Sequence, residues 1–340
     1  MKASFFYDKE NIQLEEIEKP RIFQNEILVK VKAVGVCPTD VKAYYYGSNS
    51  IKAPKIMGHE VSGIIVETKS KKFKIGDRVN IAADNPCMVC DRCIRGLHNL
   101  CRNIISLGVN IDGGYSEYMK VPPEYIDNNM VIKLADNISF IEGTFIEPVA
   151  VSLNALSLAH PQNIKKAIII GDGPNAMIHL QLLKRYYNVH EVYITGMIST
   201  RLELARKLGV DGAINIENEP AILMNIKDNI DLVDITIGNG KALGQALSVM
   251  DAGTSLVIFG GSIQDSDIKV SMNKIHYNQI TITGSTGTSL PHYIEAAKIV
   301  NSGILDLKSI ISKTFTINQM EEAFRYSRNL EGIKGAIIFD

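Results

Sequence analysis

Four of the five cysteines, Cys87, Cys90, Cys93 and Cys101, fall within fifteen residues and are spaced C-x2-C-x2-C-x7-C. Four thiolates on a short irregular loop can close a tetrahedron around zinc and leave no position open. That is the pattern of a structural site and carries no catalysis by itself. An iron–sulfur cluster also takes four cysteines, but ferredoxin runs are spaced differently and no proline follows Cys101 here. Unrelated thiols seldom crowd this way in a long chain. One zinc is expected on this loop.

A second set of metal-binding residue types is scattered. Cys37 stands in Val36-Cys37-Pro38-Thr39-Asp40, His59 and Glu60 follow Gly58, and Glu147 precedes Pro148. Singly, each has a plain reading, since a cysteine after an apolar strand is commonly a small core residue. Further on, Gly171-Asp172-Gly173-Pro174-Asn175-Ala176 follows the apolar run Ala167-Ile168-Ile169-Ile170 and opens a helical pattern. Strand, glycine turn and helix together are the context of a pyrophosphate site. Gly171 permits the tight turn, Gly173 lets backbone approach the phosphates, and Ala176 keeps helix and strand close, while helix N–H groups face the anion.

In this order along the chain, Cys37, His59-Glu60, the cysteine cluster, Glu147 and the glycine turn resemble the zinc-containing medium-chain dehydrogenase/reductase (alcohol dehydrogenase) family. The likeness is closest to its polyol, sugar and threonine dehydrogenase branch and runs from the first strand to the last. It implies a Rossmann doubly wound parallel sheet plus a GroES-like, mostly-β catalytic domain. It also implies an oxidoreductase that moves hydride between a secondary alcohol, such as a polyol or sugar, and NAD(P), with two zinc ions per chain. The family's catalytic zinc is bound by residues matching Cys37 and His59, with Glu147 or Glu60 and water completing the sphere. A site with three protein ligands keeps a position for a substrate oxygen, which zinc acidifies. Asp40 resembles the carboxylate that fixes the histidine tautomer. Thr39 resembles the hydroxyl that receives the alcohol proton.

Two positions depart from the family pattern. Lys42 stands where many relatives carry a relay histidine, and Pro38 replaces a residue type able to meet a cofactor phosphate. A threonine 3-dehydrogenase or a simple alcohol dehydrogenase is the alternative within the enzyme class. A non-catalytic zinc- and cofactor-binding protein is a distant one, because Cys37, His59, Glu60 and Glu147 are all intact. Tyr44, Tyr45 and Tyr46 offer hydroxyls for a polyol, or else form a packing cluster. The resemblance further implies a homo-oligomer, dimer or tetramer.

The second strand of the dinucleotide region ends at Thr195-Gly196. An acidic residue is expected roughly 20 residues beyond the glycine motif, where it accepts the ribose hydroxyls of NAD. Gly196 stands there instead, followed by Ser199, Thr200 and Arg201, and Arg201 is a residue type that pairs with a 2′-phosphate. The expectation is a preference for NADP, with use of both cofactors as the alternative. By resemblance, the nicotinamide meets backbone near Phe259 and Ser285.

These groups must be positioned by two kinds of structure. Up to about residue 150 the chain reads as alternating, β-branched strands such as 26–34, 61–67 and 76–82, with Gly113-Gly114-Tyr115 opening another at 116–121. Beyond it, short apolar strands at 167–170, 192–195, 231–236, 255–259 and 280–283 alternate with helices, which means a parallel sheet. The domains are thus expected at 1–150 with 287–340, and at 151–286. With 46% hydrophobic and 21% charged residues the chain can fill both cores. A formal net charge of -1 gives no basic footprint for nucleic acid or anionic membrane. The sequence shows neither a leader pattern nor a spanning run, so a cytoplasmic protein acting on a small molecule is expected.

Overall fold

The computed structural model describes residues 1–218, 226, 228–261 and 269–340. It divides into two compact units, one of Met1–Ala150, Gly287–Gly303 and Leu307–Asp340, the other of Val151–Thr286 and Ile304–Asp306.

The first unit is built on the strand Ile27–Gly35, whose Leu28, Val29, Val31, Ala33 and Val34 are all buried. Burial of both faces explains its nearly continuous apolar composition. Its antiparallel neighbours are Glu60–Thr68, Tyr118–Val121 and the closing strand Lys334–Ile338. Two registers position the chemistry: Gly35 lies opposite Glu60 on one side and opposite Ala336 on the other. Residues from near 35, 60 and 334 are thereby drawn to one end of a single sheet. The strand expected from Ser116 begins only at Tyr118. The chain before it is tied elsewhere, with Gly113 and Tyr115 donating backbone N–H groups to the carbonyls of Ile56 and Met57.

The second unit is a six-stranded parallel sheet in the spatial order Gly212–Asn215, Glu191–Gly196, Lys166–Ile170, Leu232–Ile235, Ser255–Ile258, Thr281–Gly284. The order reverses between Lys166–Ile170 and Leu232–Ile235, and such a reversal opens a crevice at the carboxyl ends of the strands. Ile168, Ile170, Val233, Ile235 and Leu256 form its core with Ala242, Ala246 and Val249. After the glycine turn, the helix Pro174–Gln181 widens into a π-helical turn at Leu182–Tyr186. Inside this unit His179 and Asp234, both fully buried, meet at 2.5 Å. Among the described residues, no helix is long and apolar enough to cross a membrane.

Candidate functional site

Cys37 ends the chain leaving Ile27–Gly35 and precedes the helix Pro38–Tyr46, whose first turn carries Thr39 and Asp40. Pro38 at the helix start costs nothing there, because the N–H it lacks would have no helical partner. His59 and Glu60 enter the neighbouring strand. The ligand atoms of Cys37, His59 and Glu60 lie within 4.8 Å of one another, which fits a metal ion. Glu147, in the first turn of the helix Ile146–Ser157, lies outside that group. Thr39 and Lys42 are exposed.

The ring of His59 is held from behind. Its Nδ1 lies 3.3 Å from Asp40 Oδ1, and the Tyr115 hydroxyl donates to Asp40 Oδ2 at 2.9 Å. Asp40 thus engages Nδ1 and leaves Nε2 as the nitrogen for a metal. Burial alone would push the His59 pKa down, but the Asp40 carboxylate and the Cys37 thiol outweigh it and hold it well above its ordinary value. A metal must displace that proton to use the ring. Burial, reinforced by Asp40, keeps the Tyr115 hydroxyl protonated and able to donate.

Glu60 is held just as firmly. Lys334 Nζ lies 2.7 Å from one of its oxygens and 2.9 Å from the other, and also donates to the carbonyl of Val36. The carboxylate folds across Gly35, where an added Cβ would come 1.8 Å from Glu60 Oε2. Only glycine leaves that space. Burial pushes the Glu147 carboxyl up to about 7, helped by the charge of Glu60 and opposed by His59.

The four clustered thiols converge as well, with Cys87, Cys90, Cys93 and Cys101 Sγ all within 4.8 Å. Backbone N–H groups of Cys87 and Asn103 point at Cys101 Sγ at 3.2 and 3.3 Å. Backbone N–H groups of Arg102 and Cys93 lower the Cys90 thiol to about 6, whereas burial raises Cys93 to about 12. The donors form a closed set of four sulfurs, as a structural zinc requires.

In the second unit, Gly171 has a φ of 125°, and a Cβ on it would strike Thr236 Oγ1 at 2.4 Å. A Cβ on Gly173 would meet nothing within 4 Å, so the turn is open where a ligand backbone must approach. Pro174, Asn175 and Ala176 begin the helix. Phe259 and Ser285 follow the ends of their strands on the same carboxyl edge of the sheet. The Ser285 hydroxyl accepts from Asn154 Nδ2 at 3.3 Å.

The end of Glu191–Gly196 differs from its sequence reading. Gly196 leaves no gap in negative charge, because the Asp172 carboxylate lies against it and accepts N–H bonds from Met197 and Ile198 at 2.9 and 3.0 Å. Arg201 is buried, its Nη1 3.6 Å from Asp172 Oδ1, while Ser199 and Thr200 are exposed. The structure therefore faces Arg201 inward, away from the role of an open phosphate partner.

The alcohol dehydrogenase GroES-like domain model matches residues 24–134, and the zinc-binding dehydrogenase model residues 176–302. An L-threonine 3-dehydrogenase from Vibrio parahaemolyticus is 30% identical over 98% of this chain and 96% of its own length. The sorbitol dehydrogenase of Bacillus subtilis is 30% identical over 95% and 92%. Among solved structures, an Escherichia coli alcohol dehydrogenase complexed with NADH is 25% identical, covering 100% of this chain and 99% of its own, with a TM-score of 0.88. The chain belongs to the zinc-containing medium-chain dehydrogenase family.

As a zinc-containing medium-chain dehydrogenase, it is a zinc-dependent, NAD(P)-linked enzyme of the alcohol and polyol dehydrogenase type. Several residues of its candidate site carry no local sequence signal. Tyr115 reads as part of a strand opening, and Lys334 and Gly35 stand outside every motif of the sequence. The tyrosine triplet divides by packing: Tyr44 is buried with its ring 5.2 Å from Phe324, and the Arg328 guanidinium lies 4.0 Å over Tyr45. Only Tyr46 of the three is exposed.

Proposed function

We propose that Cys37, His59 and a carboxylate hold the catalytic zinc of this dehydrogenase, and that its substrate is a small secondary alcohol of the polyol or sugar class. The convergence of Cys37, His59 and Glu60, with Asp40 behind the histidine, carries the reading. Of the two carboxylates, Glu60 lies within the ligand group but is neutralised by Lys334, and Glu147 is the alternative ligand. Cys87, Cys90, Cys93 and Cys101 hold the structural zinc. When bound, zinc supplies the Lewis acid that acidifies a hydroxyl, and nicotinamide supplies the hydride acceptor.

The chain's own residues supply positioning and proton transfer. Asp40 and Tyr115 fix the His59 ring, so its orientation costs little entropy on each turnover. The exposed Thr39 hydroxyl, two residues from Cys37, passes the substrate proton outward. Gly171, Gly173 and the start of the helix at Pro174 receive the pyrophosphate, and Phe259 and Ser285 border the nicotinamide. The names of the two curated relatives, threonine and sorbitol dehydrogenase, support hydroxylated small molecules as a class. A homo-oligomer in the cytoplasm belongs to the same reading and rests on family likeness.

The test is a panel of polyols, aldoses, threonine and simple alcohols, each assayed with NAD and NADP. Oxidation of a polyol or sugar is expected, abolished by Cys37→Ala without loss of the fold. Turnover confined to threonine or to a simple alcohol would replace the substrate class, and full activity in Cys37→Ala would remove the zinc assignment.

A further inference from the structure

Gly196 ends the strand where a dinucleotide fold ordinarily places the acidic residue that binds the adenosine ribose. In this protein that space is filled from the neighbouring turn. A Cβ on Gly196 would come 2.3 Å from Asp172 Oδ2 and 2.5 Å from Asp172 Cβ. Asp172 and a side chain at position 196 therefore exclude one another. The glycine makes room for a carboxylate that the glycine turn itself brings in.

We propose that Asp172 reads the adenosine ribose of the cofactor and makes this dehydrogenase selective for NAD over NADP, the reverse of what Gly196 suggests when read alone. Four observations converge. Asp172 is 9% exposed, and its Oδ2 is fixed by the N–H groups of Met197 and Ile198. The carboxylate is thus held in place and cannot swing away from an arriving ligand. Arg201, the cation of the strand end, is 5% exposed and faces Asp172 Oδ1. Turning it outward to meet a phosphate would leave a buried carboxylate without its counter-ion.

The discrimination works at short range. Asp172 and Arg201 nearly cancel in charge, so long-range repulsion is weak. A carboxylate can only accept hydrogen bonds, which suits the two hydroxyls of an unmodified ribose. A 2′-phosphate offers oxygen acceptors and no proton, so it would set acceptor against acceptor in a largely desolvated place.

The experiment titrates the full-length, zinc-loaded protein with NADH and NADPH in the absence of substrate, following nucleotide fluorescence. The wild type is expected to bind NADH on the order of 100-fold more tightly than NADPH. Asp172→Asn should bring the ratio within about tenfold. The double variant Asp172→Gly/Gly196→Asp returns a carboxylate to the same place from the strand and should restore the NADH preference. A purely structural Asp172, needed only to cap the 197–198 turn, predicts an unchanged ratio in Asp172→Asn, and the double variant marks the ratio that a strand-end carboxylate gives in this fold. Equal or tighter binding of NADPH by the wild type overturns the proposal, as does an unchanged ratio in folded Asp172→Asn. Should Asp172→Asn not fold, the wild-type ratio and Asp172→Ser, which keeps a short capping acceptor without the charge, still decide. Failure to bind either nucleotide would remove the dinucleotide site itself, and this inference with it.

Discussion

Lys334 and Glu60 form an ion pair with almost no access to water, their side chains 3% and 2% exposed and 2.7 Å apart. The pair joins the closing strand to the candidate metal site, and Gly35 leaves the space in which Glu60 lies. Replacing one partner strands the other as a buried charge. Lys334→Met is therefore expected to cost about 3–5 kcal/mol of unfolding free energy, measured by urea denaturation of the metal-free protein. Adding Glu60→Gln to Lys334→Met should recover much of the loss. If Lys334→Met costs less than about 1 kcal/mol, as an exposed pair would, the pair has no such role.

Asp40 acts through His59. Asp40→Asn is expected to weaken binding of one of two zinc ions by about 10–100-fold in a chelator competition, leaving the other unchanged. The tightly held ion should be the one on the cysteine loop. Unchanged affinity at both sites would show that the Asp40–His59 contact does not orient a metal ligand.

The cysteine loop gives an independent reading of metal content. Cys90→Ser should lower zinc from about two ions per chain to about one, and lower the thermal midpoint, because a structural zinc contributes folding energy directly. Cys37→Ala should also remove one ion while leaving the midpoint nearly unchanged. Two ions retained in Cys90→Ser would refute the four-thiolate site.

Two histidines give the first unit a dependence on pH. Burial lowers both the His98 and His292 pKa values below the ordinary 6.5. His98 Nδ1 accepts the Leu290 N–H at 3.2 Å, a bond that protonation of that nitrogen would break. A histidine with a depressed folded pKa binds fewer protons when folded than when unfolded. Its stabilisation is therefore complete above the unfolded value and is lost as pH falls through the folded one. The Glu147 carboxyl, raised to about 7, pulls the other way over the same window, so the histidine effect is read by difference: the urea midpoint of His292→Asn relative to the wild type should rise as pH falls below 6.5. An identical slope in His98→Asn and His292→Asn would place the acid sensitivity elsewhere.

Much of the site is legible along the chain because metal chemistry and phosphate binding demand particular residue types. Thiols, an imidazole and carboxylates are recognisable as donors wherever they stand, and the glycine turn is a local strand-to-helix event. Tyr115, Lys334 and Gly35 are not legible in that way. Each serves through a partner distant in sequence: Gly35 lies against Glu60 and Ala336 by strand pairing, Tyr115 bonds Met57 and Asp40, and Lys334 meets Glu60. The difference at Arg201 has the same origin. Its residue type suits a phosphate, but its burial against Asp172 is a matter of packing.

By itself, then, the sequence determined the residue types of two candidate donor sets, the glycine turn and the alternation from strands to a doubly wound sheet. These are written in residue type and short-range spacing, which the backbone converts directly into geometry. Only the tertiary structure decided which groups hold those donors in place and what charge stands at the end of Glu191–Gly196. There the carboxylate comes from Asp172 on an adjacent turn, and its neighbour at 196 is glycine because two side chains cannot occupy one volume.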